Sequence, residues 1–325
     1  MKFNYTLLIS IIYIVLLVAT SIRIILENKN PLKTHSYLLV IILLPGVGLL
    51  IYYFFGVNLR KEEMFVEKER IDLKFIQDYL HNYENNLLKH HADIEKQLQG
   101  KARLPYLFFN NSNSVFTHNN QIDFLYNGEN KFPVLLDALK NAKHHIHIEY
   151  YIFYGKDAIG KTIIEIICAK AKEAVEVRLL VDSFGSKLPG KLVKQLSDAG
   201  VEVAFFRPLW SPKYLTKSNY RDHRKIVVID GKTGFVGGIN VADYYINNVH
   251  TQKYWADLHC MIKGNAVYAL QLLFFLNWRF ATEKEFNPLL NYLPSHQIIS
   301  GTAISIMGCN ASGRSPAIMD AYFSM

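Results

Sequence analysis

The sequence predicts an α/β domain built on a central mixed β-sheet with helices on its faces, preceded by a pair of apolar helices at the N-terminus. Three observations predict it. Strand-like and helix-like periods alternate from about Lys101 to Phe280. Two long uncharged runs open the chain. A turn-linked pair of β-branched segments, NYRDHRKIVVIDGKTGFVGGIN from Asn219 to Asn240, lies between the alternating elements.

Taken in order, Phe3–Ile22 is a run of 20 residues without charge, enough for a helix to span a bilayer. A single Lys2 ahead of it and the small residues Ala19, Thr20 and Ser21 would also suit a secretory signal. A second uncharged run, Ser36–Val57, follows after a polar joint from Glu27 to His35, and this favours a transmembrane hairpin over residues 1–58. Pro45, Gly46 and Gly48 inside the second run predict a kink. Arg60, Lys61, Lys68 and Arg70 outweigh Lys29 and Lys33 in the joint, with Arg23 at its edge. The positive-inside tendency then places the C-terminal part in the cytoplasm.

Residues 59–100 predict a helical linker: Ile71, Phe75, Ile76, Tyr79, Leu80, Tyr83 and Leu87 recur at helical spacing among charges. Residues 101–290 predict the α/β domain. Its strands are Ile122–Tyr126, His144–Tyr154, Glu176–Val181, Val201–Phe205, Ile226–Ile229, Thr233–Val236 and Asp257–Ile262. Its helices are Glu129–Lys143, Ile159–Ala174, Leu188–Ala199 and Asn265–Phe280. Asn127-Gly128 and Asp230-Gly231 read as turns. Residues 291–325 read as a linker, with Pro288 and Pro294 marking its start, and from Gly301 as the opening of a new strand-and-helix unit.

The 325 residues carry a formal net charge of +8, with 20 Tyr and 20 Phe. A basic chain with two apolar runs favours anionic lipid headgroups over free nucleic acid as its negative partner. Cys168, Cys260 and Cys309 are odd in number and far apart, with no C-x-x-C, and read as reduced structural thiols.

The central segment carries the chemistry. His223, Lys225 and Asp230 stand in the order H-x-K-x-x-x-x-D, with Gly237, Gly238 and Asn240 close behind. Side chains two apart on a strand share a face, so His223 and Lys225 point into one space. The two glycines remove bulk where a ligand must approach, and Asn240 can donate an amide hydrogen bond there. Phosphodiester transfer uses such a set. An imidazole attacks phosphorus, while an ammonium and an amide hold the non-bridging oxygens as their charge rises.

These residues resemble the HKD motif of the phospholipase D superfamily. Four further stretches extend the resemblance to bacterial cardiolipin synthases: LLPGVGLLIYYFFGVNLRK (Leu43–Lys61), HHIHIEYYIF (His144–Phe153), VEVRLLVDSFGS (Val175–Ser186) and YWADLH (Tyr254–His259). The resemblance implies a phospholipase D-like domain in the cell membrane, multi-pass, joining two phosphatidylglycerols into cardiolipin without metal or cofactor. It implies a phosphohistidine on His223 and phosphate holding by Lys225 and Asn240. A hydrolase acting on lipid or nucleic acid is the same scaffold's other use, as is non-catalytic lipid binding; the apolar runs favour lipid, and no nucleic acid is expected. The family usually has Arg at Ala256 and a polar amide at Asp222.

The remaining candidates are weighed on their chemistry. His145, His147 and Glu149 alternate on one strand, a spacing that could hold a metal, but the favoured reading is a sheet face without metal on which Glu149 alone orients the site, balanced by a cation near Lys225. Asp257 is the choice for fixing the His223 tautomer; Asp230 is the alternative, better placed for a turn. Arg207, Lys213, Lys217, Arg221, Arg224 and Lys225, with Leu209, Trp210, Tyr214 and Leu215, suit an anionic headgroup funnel. Only His223 has a Lys two residues later, whereas the implied mechanism needs two histidines. Gly301–Met325 then resembles the opening of a second half cut off before its motif, so a second copy or a missing C-terminal half is expected to supply the other histidine.

Overall fold

The computed structural model describes residues 5–27, 31–44, 46–52, 103–112, 114, 116–206, 221–247, 253–284, 289–294 and 302–306. The chain divides into two compact units, Met1–Val66 and Glu67–Met325. The linker expected over residues 59–100 and the basic loop from Arg207 to Lys217 lie outside the described residues.

In the first unit, helix α1 (Tyr5–Glu27) is followed by α2 (Pro31–Leu43) and a short α3 (Val47–Ile51). The second uncharged run is broken, not merely kinked. Gly46 sits at φ 83°, outside the right-handed helical region, and its N–H donates to the Tyr13 hydroxyl at 3.1 Å. Ile24, Ile41 and Tyr52 are buried together, with Leu17, Tyr37, Leu38 and Leu49 packed on them. Ile11, Ile12, Ile14, Val15, Leu16, Val18 and Ile22 on α1 stay exposed, as do Leu39, Ile42 and Leu43 on α2. Among the described residues no helix is long and apolar enough to cross a membrane, so the two-span hairpin is not established by them.

The second unit is an eight-stranded mixed sheet with helices on both faces, as the alternation predicts. Its strands are β1 (Phe116–Tyr126), β2 (His145–Tyr150), β3 (Glu176–Asp182), β4 (Glu202–Phe206), β5 (Lys225–Ile229), β6 (Thr233–Gly237), β7 (Leu258–Gly264) and β8 (Thr302–Ser305). Their spatial order is β4-β3-β2-β5-β6-β7-β1-β8. Strands β2, β3 and β4 run parallel, and β2 meets β5 antiparallel. The helices are α4 (Arg103–Ser112), α5 (Asn127–Lys140), α6 (Ala158–Lys172), α7 (Gly190–Asp198) and α8 (Ala266–Thr282).

Alternation along β2 divides the core. Ile146, Ile148 and Tyr150 join Val227, Ile229 and Phe235 under Phe132, Leu135 and Leu139 of α5 and Ile163, Ile164 and Ile167 of α6. On the other face, Ile226, Val228 and Ile262 pack on Val267 and Leu270 of α8, and Leu180, Ala204 and Phe206 on its Phe274, Phe275 and Trp278. Each such side chain contributes roughly 1.5–3 kcal/mol on burial.

Two expectations are corrected. Asn127-Gly128 is no free turn: α5 starts at Asn127 straight from β1. Asn127 takes φ 59°, and Asp257 holds it through N–H to O at 2.9 Å and a return N–H to Oδ1 at 3.0 Å. Thr302–Ser305, expected to open a new unit, instead adds an edge strand beside β1, with Phe116 opposite Ser305.

Candidate active site

The site lies where β2 ends and β5 begins. In this register Tyr150 is opposite Lys225. The next residue along, Tyr151, stacks its ring on that of His223, with centroids 3.9 Å apart and planes at 22°. Lys225 Nζ lies 5.5 Å from the centre of the same ring and donates to the His223 carbonyl oxygen. The sequence brings His223 and Lys225 together, and the structure places both on Tyr151. The His223 ring is exposed, which a nucleophile facing a lipid phosphate requires. Burial lowers the pKa of the Lys225 ammonium, against the carboxylates of Asp222 and Asp257, which raise it. An ammonium at this position is suited to a phosphate oxygen.

The other motif residues are distributed differently. Asp230 lies at the far end of β5, where Ile229 pairs with Ile146. Its carboxylate accepts N–H bonds from Lys143 (2.9 Å), His144 (2.7 Å) and His145 (3.0 Å). With Asp230 at φ 55°, Gly231 at 63° and Lys232 N–H on Ile229 O at 3.0 Å, the segment is a type I′ turn. The structure does not bring Asp230 to His223; its role is to lock the start of β2 to the end of β5. Asn240 is 3% exposed, and its amide is already engaged: Oδ1 accepts from Ile152 N–H at 3.1 Å and Nδ2 donates to the Tyr245 hydroxyl at 2.6 Å. Gly238 is required by a close approach, since a Cβ there would stand 1.9 Å from Asp257 Oδ1. Among the described residues no hydrogen bond joins Asp257 to His223. The Asp257 carboxylate opposes the burial that lowers the pKa of Lys131 and Lys225.

Glu149 is fully buried; its hydrogen-bond partner is an amide, and the Arg224 guanidinium acts on it through charge. Asn277 of α8 donates to Glu149 Oε1 at 2.7 Å and to Asp222 Oδ2 at 3.2 Å. Burial first, and then the Asp222 carboxylate, push the Glu149 acid well above its usual range. His145 and His147, on the same face, are held by Gln271: His145 Nε2 is 3.1 Å from its Oε1, and its Nε2 is 2.8 Å from His147 Nδ1. His147 also stacks on Phe274 at 4.6 Å. Burial pushes His145 down to about 4 and lowers His147 too, and both are packed rings. Among the described residues no set of side chains is grouped to hold a metal ion.

Sequence reasoning missed Lys131, Tyr151, His259 and Asn277. Lys131 is buried with its Nζ on Ile239 O at 2.7 Å and 4.8 Å from the rings of Phe132 and Tyr150. Burial, then Lys131 and Lys225, push the His259 pKa well below its ordinary value. For Asn277 a signal existed: an amide inside the apolar run AVYALQLLFFLNWRF must find a polar partner. For Lys131 none did, because its partner is 108 residues away.

The chain is similar to known proteins over most of its length. Residues 135–250 match the family model described as cardiolipin synthase, PLD-like domain, and residues 15–56 match phospholipase D-nuclease N-terminal. The chain is 36% identical over 301 residues to the major cardiolipin synthase ClsA of Bacillus subtilis (strain 168), covering 90% of this chain and 60% of that protein. It is 41% identical over 260 residues to cardiolipin synthase 2 of Bacillus anthracis, covering 79% of this chain and 49% of that protein. A further relative, the cardiolipin synthase of Clostridium perfringens (strain 13 / Type A), is 36% identical over 260 residues, covering 80% of this chain and 53% of that protein. The chain thus spans about half to three-fifths of the length of these relatives. Residues 135–250, which hold the paired His223 and Lys225, match a PLD-like domain model, and the chain is similar to cardiolipin synthases on either side of it.

Proposed function

We propose that this chain is the membrane-anchored, HKD-bearing part of a phosphatidyltransferase that joins two phosphatidylglycerols into cardiolipin and releases glycerol. The observation that carries the reading is the exposed His223 ring on Tyr151 with the Lys225 ammonium at the same ring, within a domain similar to cardiolipin synthases. His223 forms a bond to phosphorus as the bond from phosphorus to the glycerol oxygen breaks, and glycerol leaves with a proton. The hydroxyl of a second phosphatidylglycerol then displaces the imidazole and gives up its proton. One diester replaces another, so the exchange needs no redox partner or nucleotide. Lys225 holds the non-bridging oxygens. A second histidine, from another copy or from a C-terminal half, handles the protons.

Anchoring rests on the uncharged run Phe3–Ile22 and the exposed apolar side chains of α1 and α2, and on the similarity of residues 15–56 to an N-terminal family of these enzymes. The two uncharged runs support a multi-pass arrangement in the cell membrane, and the Lys and Arg distribution supports a cytoplasmic sheet domain. Incubating the full chain with phosphatidylglycerol vesicles and separating the lipids tests the reading. Cardiolipin and free glycerol are expected. Phosphatidic acid would mark a hydrolase, and lipid binding without any product a non-catalytic anchor.

A further inference from the structure

Behind the His223 loop, on the α8 face of the sheet, two carboxyl groups are buried side by side. Glu149 is 0% and Asp222 8% exposed. The side-chain amide of Asn277 spans them, donating to Glu149 Oε1 and to Asp222 Oδ2. An amide nitrogen has two hydrogens, so Asn277 has none left. Asp222 Oδ1 accepts from Arg224 N–H at 3.2 Å, while Glu149 Oε2 is buried without a hydrogen-bond partner. The charged groups facing the pair are Arg224 and Lys225 at the start of β5 and Asp182 at the end of β3, whose Oδ2 is 3.4 Å from Asp222 N. Asn277, the group α8 places on the pair, is neutral. Two carboxylates in one dry site do not both ionise, and the oxygen left without a partner is where a proton belongs.

We propose that Glu149 holds a proton beside the Asp222 carboxylate, with Asn277 bridging the two, and that this pair positions His223, which the chain carries directly after Asp222. The assignment rests on the phosphatidyltransferase reading for its consequence in turnover, but not for its chemistry. While the proton is present, Asp222 is held against Asn277 and the His223 ring stays on Tyr151. When it leaves, the two carboxylates repel and the loop from Arg221 to Arg224 shifts. A displacement near 1 Å at a reacting group costs roughly 100-fold in rate.

The experiment is a pH titration of the full chain in detergent by infrared spectroscopy, with NMR of the His223 ring. A protonated-carboxyl C=O band is expected to persist at pH 7, with the His223 signal moving in step as the band is lost at higher pH. In D222N, which leaves Glu149 without a like-charged neighbour, the band retreats to lower pH; in E149Q it is gone at pH 7; in both, the His223 signal no longer follows. With phosphatidylglycerol, the alkaline limb of kcat disappears in both variants while KM stays near wild type, and D222A loses roughly 100-fold in kcat that D222N largely restores. No protonated band at pH 7 in the wild type, or a His223 signal indifferent to its loss, overturns the proposal. Absent turnover at every pH, with band and coupling intact, supports the pair and counts against the transferase reading.

Discussion

At the scale of single residues, the motif H-x-K-x-x-x-x-D divides into two jobs. His223 and Lys225 meet at the Tyr151 ring. Asp230 collects the backbone N–H groups of Lys143, His144 and His145 at the other end of β5, in a left-handed conformation that Asp tolerates better than most residues. Removing that carboxylate leaves several backbone donors without their acceptor. D230A is therefore expected to lose about 2–4 kcal/mol of stability. H223A, at an exposed ring, is expected to lose no more than about 0.5–1 kcal/mol. Urea denaturation of the two variants compares them, and equal losses would place Asp230 and His223 in the same class of residue.

At the scale of elements, β2 organises the site because its two faces serve different partners. Ile146, Ile148 and Tyr150 build the core, while His145, His147 and Glu149 face Gln271 and Asn277 of α8. Burial and Asp222 raise the Glu149 pKa above its usual value of 4.5. The unfolded chain therefore releases this proton at lower pH than the folded one. The associated stability is full below about pH 4.5 and is lost as pH rises through the raised value. Glutamine cannot ionise, so E149Q is expected to gain in melting temperature relative to wild type as pH rises from about 4.5, followed by circular dichroism. A gap that does not change with pH would contradict a buried, proton-holding Glu149.

These elements also show what was legible in the chain. Strands β3, β5 and β6 fall within a residue or two of their expected bounds, because Val, Leu and Ile runs broken by Asp-Gly or Gly-Gly leave few alternatives. The first half of β1 was not legible. Phe116–Gln121 reads FTHNNQ, without apolar alternation, and is a strand because β7 and β8 supply its hydrogen bonds from far along the chain. The His223–Lys225 pair was legible because the two residues lie two apart. The Glu149–Asn277 bond spans 128 residues, and only the packing of α8 on the sheet creates it. That packing also sets the Asn277 amide between Glu149 and the acid Asp222, with Arg224 as the cation acting on Glu149.

At the scale of the whole molecule, a chain of net charge +8 joins a unit of exposed apolar helices to a sheet domain that sets His223 and Lys225 on one ring. The partner we propose for both units is an anionic lipid surface. The central claim is that the His223 imidazole becomes bonded to lipid phosphorus. Denaturant-quenched digestion of the full chain at mildly alkaline pH, after brief exposure to phosphatidylglycerol labelled at phosphorus, followed by peptide mass mapping, tests it most directly. The account predicts a phospho-adduct on the peptide containing His223 that is absent from H223A and weakened in K225A. An adduct that persists in H223A, or that maps to another residue, would contradict it.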